Sequence, residues 1–233
     1  MGYIPIKGIT IAAHPYKEKD RIVVLFSDKL GKIKALMRSV RSLNSKRSGL
    51  SDEFLYEKIL IYQKGDRFTI TDVDLLDAFV EARSRIENYK VLLYIKELVI
   101  LLVPYEQPDY RIFNLILDTL RTLDTTKNAP ALLISFILYL LKYAGIPIKL
   151  PDNTSSTYYF LPEMGGFNKN KGIPVEKNII DEITLLYKTP IKDAFSVQDE
   201  ELILKLLNDF ILYHTNSLHF KKFLETIGKF VNI

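Results

Sequence analysis

The hydrophobic period changes near residue 78, and that change constrains the fold more than any other feature of the chain. Up to Leu76 the apolar residues come in short runs rich in β-branched side chains: Ile9 to Ala13, Arg21 to Phe26, Lys32 to Met37, Phe54 to Gln63 and Phe68 to Leu75. Runs of this kind read as strands. Ser27-Asp28-Lys29-Leu30-Gly31 and Lys64-Gly65-Asp66 fall between strands and read as hairpin turns, with Gly31 able to take positive φ. Five strands joined by short turns suggest a small barrel, for which the five-stranded OB-fold is the leading candidate.

From residue 79 onward the period is helical. Leu92, Leu93, Ile95, Leu98, Val99 and Leu102 make one stripe along Asn88 to Leu102, ended by Pro104. Asp109 caps a second helix, and Asn128-Ala129-Pro130 opens a third that runs to Tyr143 and stops at Gly145 and Pro147. Pro151 to Pro174 break the pattern, apart from the aromatic run Tyr158-Tyr159-Phe160. Helices resume at Val175 to Tyr187. Ser196 with Asp199 makes a capping box for a helix through Tyr213, and Ser217 to Phe230 is the last. The expected class is α+β: an N-terminal barrel (1–78), then a helical domain (79–150 and 175–233) interrupted by a small insert (151–174).

Composition narrows the function. The 233 residues include no Cys, which removes disulfides, thiolate metal sites and cysteine nucleophiles. The longest apolar run, Ala129 to Leu141, is shorter than the ~20 residues that span a bilayer. Met1-Gly2-Tyr3-Ile4-Pro5 does not read as a secretory signal, so a cytoplasmic protein is expected. Net charge is +4, carried by the N-terminal part; residues 151–233 are net acidic. Lys29 to Ser51 holds Lys29, Lys32, Lys34, Arg38, Arg41, Lys46 and Arg47 and no acid. Uncompensated cations repel one another unless solvent or a polyanion screens them, so the run is either a solvated face or a phosphate-backbone site.

Strand pleating sorts these residues. In Lys32 to Arg38, Ile33, Ala35 and Met37 fall on one face and Lys32, Lys34, Leu36 and Arg38 on the other. The apolar face fills the barrel, so the basic face points outward and continues into Arg41, Lys46 and Arg47. Lys17, Lys19 and Arg21 alternate in the same way. Tyr56, Lys58, Leu60, Tyr62 and Lys64 share a face of a later strand. Tyrosines interleaved with lysines suit single-stranded nucleic acid, where bases stack and phosphates meet cations; packing of Tyr56 and Tyr62 against the helices is the competing reading. Enzymatic chemistry finds no support. His14, His214 and His219 lack metal-ligand spacing, no phosphate-binding loop is present, and Gly165-Gly166 lacks the context of a dinucleotide turn.

The order of features resembles the RecO family. Tyr16-Lys17-Glu18-Lys19-Asp20-Arg21, then Leu25-Phe26-Ser27 and Gly31-Lys32, is similar to the family's opening, and the basic loop Arg38 to Leu50 with Ser45-Lys46-Arg47 sits where its Arg/Lys/Ser-rich loop falls. Tyr94-Ile95-Lys96-Glu97-Leu98, Glu106-Gln107-Pro108, Phe113-Asn114-Leu115-Ile116-Leu117 and Phe136 to Gly145-Ile146-Pro147 follow in family order. So do Tyr159-Phe160-Leu161-Pro162-Glu163-Met164-Gly165-Gly166, Phe210 to His214 and Lys221-Lys222-Phe223-Leu224.

The resemblance implies a non-enzymatic mediator of DNA recombination and repair that binds single- and double-stranded DNA and anneals complementary strands. It also implies partners: RecR, the acidic-hydrophobic tail of single-stranded DNA-binding protein and, indirectly, RecA. An insert that often holds zinc through four cysteines is implied too. Here the stretches that would carry them read Pro151-Asp152-Asn153-Thr154 and Asn168-Lys169-Asn170-Lys171-Gly172. No metal is therefore expected, and Tyr158 and Phe160 should pack the insert on the helices instead. The expected DNA site is Lys17, Lys19, Arg21, Lys32, Lys34, Arg38, Arg41, Lys46, Arg47, Tyr56, Lys58 and Tyr62. Arg121 and Lys142 are candidates for the partner tail. The alternative is a protein-interaction adaptor with the barrel as scaffold, in which case the cations should be spread around the surface.

Overall fold

A computed structural model describes residues 2–40, 52–126, 128–151 and 158–230. The chain divides into two compact units, residues 1–125 and 126–233. The first contains a closed five-stranded barrel in the order β1-β2-β3-β5-β4, built from β1 (Gly2–Tyr16), β2 (Asp20–Ser27), β3 (Gly31–Met37), β4 (Tyr56–Lys64) and β5 (Arg67–Asp77). All neighbours are antiparallel except β3 and β5, which meet in parallel over three residue pairs. This order and closure are those of the OB-fold expected from the sequence.

β1 is longer than its apolar run indicates. Its first half pairs with β4 and its second half with β2, and a bulge between Thr10 and Ala12 bends the strand from one partner to the other. Pro5 and Gly8 interrupt the strand signal, yet Pro5 lies opposite Leu60 within the β1–β4 ladder. The core holds Ile6, Val23, Leu25, Ile33, Ala35, Met37, Ile59, Ile61, Phe68 and Ile70, among them Ile33, Ala35 and Met37, the inward face that the pleat assigns on β3.

Among the described residues of this unit, three α-helices follow the barrel: α1 (Val80–Ser84), α2 (Ile86–Leu102) and α3 (Tyr110–Thr125). Asp109 caps α3 as expected, its Oδ1 accepting from the Arg111 amide at 2.8 Å. Gly31 takes φ of 65°, and a Cβ there would collide with the Gln107 carbonyl. The segment after α2 therefore lies directly against the start of β3, where Lys32 bridges Tyr105 and its carbonyl accepts from the Glu106 amide at 2.9 Å.

Glu57 lies on the same face of β4 as Ile59 and Ile61 and is only 1% exposed. Its Oε2 accepts from the Thr10 hydroxyl at 3.2 Å, while Oε1 has no hydrogen-bond partner among the described residues. Burial raises its pKa from 4.5 to about 7, outweighing the Thr10 hydrogen bond and the Arg83 charge, which pull it down; Asp52 adds to the rise. Between those two values the folded state binds more protons than the unfolded chain. The group's contribution is thus full below the unfolded pKa and is lost as pH climbs through 7. Glu57→Gln is expected to melt higher than the parent at about pH 8, by the equivalent of about 1–3 kcal/mol. The gap should close at about pH 4.5, and thermal melts at both values check it.

The second unit contains α4 (Ala129–Tyr143), a three-stranded sheet of order β7-β6-β8, and three further helices, α5 (Lys177–Leu186), α6 (Glu200–Thr215) and α7 (Leu218–Phe230). The sheet strands are β6 (Tyr158–Leu161), β7 (Gly166–Asn168) and β8 (Ile173–Val175). Val175, expected to open a helix, instead pairs with Tyr158 as the end of β8. The cap of α6 also differs. Asp199 itself caps, its Oδ1 accepting from the Leu202 amide at 3.0 Å, while the Ser196 hydroxyl accepts from the Asn128 side-chain amide at 2.8 Å, three residues before the cap. Ser217 caps α7, its Oγ accepting from the Phe220 amide at 3.1 Å. Among the described residues, no helix is long and apolar enough to cross a membrane.

Candidate nucleic-acid interface

Two adjoining grooves run across the outer face of the barrel. One, of about 540 Å³, lies over β2 and β3 and is bounded by the β1–β2 turn and the β4–β5 turn: Tyr16, Lys17, Ile22, Lys34, Leu36, Arg38, Asp66, Arg67, Phe68 and Thr69. The other, of about 570 Å³, passes over β5, β4 and the start of β1 and is lined by Tyr3, Arg38, Tyr62, Lys64, Arg67, Thr69, Ile70 and Thr71. Arg38, Arg67 and Thr69 belong to both, so the track is continuous. The first groove occupies the β2–β3 face and flanking turns that OB-folds use for oligonucleotides.

Local structure fixes the cations. Lys34 projects from the outward face of β3, and Arg38 follows directly after its last residue and lines the same groove. The end of β3 is tied to β2 by the Ser39 amide, which donates to Asp20 Oδ1 at 2.9 Å. Lys34 lies over the Tyr105 ring at 5.1 Å, and Lys17 over Tyr16 at 5.5 Å. Lys64 and Arg67 are cross-strand partners flanking the Gly65-Asp66 turn. Among the described residues, Asp66 is the single acid lining either groove.

The expected site residues divide accordingly. Lys17, Lys34, Arg38 and Tyr62 line the grooves. Lys19 is exposed in the β1–β2 turn, and Lys58 is exposed on β4 opposite Lys7 and Asp74, outside the groove lining. Arg41, Lys46 and Arg47 lie outside the described residues.

Three expectations need correction. Lys32 is 1% exposed and does not face solvent: its Nζ donates to the carbonyls of Val99 at 3.2 Å and Ile100 at 2.7 Å, at the end of α2, and lies 4.4 Å from the Tyr105 ring centroid. Burial, with the Lys34 charge adding to it, lowers its pKa from 10.5 to about 8. Arg21 alternates with the groove residue Ile22 and pairs instead with Asp52 at 3.4 Å. Tyr56 is 8% exposed because α3 covers it: the Phe113 ring meets it at 6.3 Å and the Arg121 guanidinium lies 5.9 Å from its centroid.

Sequence reasoning missed Tyr3, Tyr16 and Arg67 as site residues and left Lys64 out of the site. Arg67 and Lys64 were recoverable from their places beside the β4–β5 turn, since that turn borders the ligand face of an OB-fold.

In the second unit, Lys142 lies 5.8 Å from the Tyr139 ring centroid and 5.0 Å from that of Tyr187, two rings stacked at 6.2 Å and 4°. Burial raises the pKa of both tyrosines. Tyr139 donates its hydroxyl to the Thr189 carbonyl at 2.9 Å.

The insert does not fit the four-thiolate zinc that the resemblance brings with it. The chain has no cysteine, and among the described residues no three His, Asp or Glu side chains gather as a metal site. Asn168 closes the turn at one of the two stretches concerned. Its Oδ1 accepts from the Asn170 amide at 2.9 Å and the Lys171 amide at 3.0 Å, and its Nδ2 donates to the carbonyls of Tyr159 at 3.2 Å and Lys171 at 3.0 Å. Tyr158 and Phe160 are buried. Phe160 meets Phe167 at 5.1 Å and Phe210 of α6 at 6.3 Å, so its packing on a helix is as expected.

Comparison with known proteins agrees with both units. The family model for the recombination protein O N-terminal domain matches residues 1–79, and that for the recombination protein O C-terminal domain matches residues 83–222. A protein named DNA repair protein RecO in Dehalococcoides mccartyi is 29% identical over 82% of this chain and 80% of its own length. Proteins of the same name in Clostridium novyi and Clostridium perfringens are 25% and 24% identical, covering 88% and 84% of this chain and 86% and 84% of their own lengths. The barrel, the helices that follow it and the matched spans together place the chain in the RecO family of DNA repair proteins.

Proposed function

We propose that this protein is a recombination mediator that holds DNA strands along the barrel groove and anneals complementary strands. With RecR, it then helps RecA load onto DNA coated by single-stranded DNA-binding protein. The observation that carries the reading is the gathering of Lys17, Lys34, Arg38, Lys64 and Arg67 with Tyr3, Tyr16 and Tyr62 on one continuous face. An adaptor using the barrel as scaffold calls for cations dispersed around the surface, so this grouping favours DNA. Cations on a phosphate track hold a strand without reading its bases, which leaves its Watson–Crick edges open to a complement.

Family membership supports the named partners. For the acidic-hydrophobic tail, Lys142 is the better supported candidate, since it stands over two tyrosines and so joins charge to an apolar surface. Arg121 lies over the single ring of Tyr56, which α3 covers, and 4.0 Å from Asp118, so it offers less apolar surface beside its charge.

Strand annealing by the purified protein tests the function. With two complementary labelled oligonucleotides, the parent should accelerate duplex formation. The variant Lys34→Ala/Arg38→Ala/Arg67→Ala should lose at least about tenfold in rate at low salt and show a shallower dependence of DNA affinity on salt, by about 2–3 in log-log slope. An unchanged rate and slope would remove the groove from the mechanism.

A further inference from the structure

The second groove contains something that charge alone does not call for. Tyr3 and Tyr62 are cross-strand partners at the β1–β4 seam, with ring centroids 5.1 Å apart and planes at 48°. Cross-strand aromatic pairs usually serve to bury area. Here Tyr3 is 64% exposed, so its ring is held in water rather than in a core. Both rings line the groove with Arg38, Lys64 and Arg67, two of which continue into the groove over β2 and β3.

We infer that the Tyr3–Tyr62 pair is a base-stacking step that makes the groove select unpaired strands over duplex. The inference rests on the reading that the groove binds DNA. Arginine and lysine side chains meet phosphates in single and double strands alike, so they confer little preference between them. A tyrosine face differs, because it stacks only on a base whose own face is open. In a duplex the neighbouring base pairs cover those faces, whereas a single strand can splay its bases onto a protein ring. The rings lie beside the cations that would hold the backbone, which is the combination found in sequence-tolerant single-strand sites. The same geometry suits annealing: a strand held by phosphate and stacking contacts is bound while unpaired, and the duplex it forms loses the stacking and is released more readily.

Labelled oligothymidylate and a duplex of equal length are the probes, read by fluorescence anisotropy at fixed salt. Tyr3→Ala/Tyr62→Ala is expected to weaken oligothymidylate binding by about 5- to 100-fold. Duplex binding should change less than about twofold and the salt slope should not change, because no phosphate contact is removed. Tyr3→Phe/Tyr62→Phe keeps the ring faces and should bind as the parent does.

Equal losses for both probes, or no loss for either, overturn the inference. Photocrosslinking of unmodified protein to a halogenated oligonucleotide supplies a readout that does not depend on a variant folding. Adducts on Tyr3 or Tyr62 are expected, and adducts confined to other residues overturn the inference. The two readings fail distinguishably. If Lys34→Ala/Arg38→Ala/Arg67→Ala weakens both probes while the double tyrosine variant weakens neither, stacking is wrong and the groove stands. If the charge variant weakens neither probe, the groove itself is wrong.

Discussion

Replacing Lys32 by Ala is expected to destabilise the barrel unit by about 2–4 kcal/mol, the largest single-residue effect proposed for this molecule. The side chain leaves the outward face of β3 and ends against the last turn of α2, a helix with no basic residue of its own there. Carbonyls at a helix C-terminus run short of donors and carry partial negative charge. The ammonium donates to the Ile100 carbonyl and adds a second donor at Val99, which also accepts from the Val103 amide at 3.3 Å. The Tyr105 ring adds a cation–π contact. Against this stands the cost of taking a charge out of water, visible in the lowered pKa, which limits the net gain.

Truncation to Ala removes the donor and leaves a cavity. Lys32→Met keeps most of the apolar stem, and the difference between the two variants isolates packing from hydrogen bonding. Urea unfolding followed by circular dichroism should show the midpoint of Lys32→Ala lowered by about 1–2 M. Between pH 8 and 10.5 the unfolded chain binds more protons than the folded one, so the parent gains stability as pH rises through that window. Both variants should lose that rise. Neither should change DNA affinity by more than about twofold, because Lys32 does not reach the groove. A large loss of affinity in a variant of parental stability would return Lys32 to the phosphate track.

The second large effect concerns the insert, which we propose folds without metal. Asn168 is 8% exposed and uses both amide donors and two acceptor positions on backbone groups. Asn168→Ala leaves the Asn170 and Lys171 amides and two carbonyls without these partners. The local cost is expected to be about 2–3 kcal/mol, since four hydrogen bonds worth about 0.5–1.5 kcal/mol each are lost and the exposed Asn170 and Lys171 groups can turn in part to water. Hydrogen exchange of the amides in residues 158–175 should then quicken by about 30- to 100-fold relative to the parent. Asn168→Asp keeps the acceptors and should fall between. Chelator should leave the parent's melting midpoint where it was. A midpoint that drops with chelator, or zinc found at one equivalent in purified protein, would show that the insert has a metal after all.

The sequence made the architecture legible because its two hydrophobic periods are well separated, and the inward face of β3, Ile33, Ala35 and Met37, follows directly from alternation. Its limits are equally local. Lys32 and Lys34 share a strand face and a charge, and nothing in the residues themselves says that α2 ends over one and not the other. Tyr56 and Tyr62 share a face of β4 in the same way, yet α3 covers only the first. Tyr3 was hidden for another reason. Pro5 and Gly8 break the alternation around it, and its partner Tyr62 lies far along the chain. Ser196 has the right spacing for a capping box, but the helix starts later, with Asp199 as its cap and Ser196 bonded to Asn128.

The double pairing of β1 sets an order of events during synthesis. Residues 2–9 leave the ribosome long before their partners on β4, residues 56–63, exist. The second half of β1, with β2 and β3, can form a three-stranded meander early, because those pairings are local in sequence. The first half must wait. Until β4 emerges, residues 2–7 carry Ile4 and Ile6 with no ladder to join, and an unpaired strand of that kind is open to wrong partners. Lys7 and Pro5 within that segment are residues that discourage such pairing. The seam that finally brings Tyr3 beside Tyr62 is therefore among the last parts of the barrel to close.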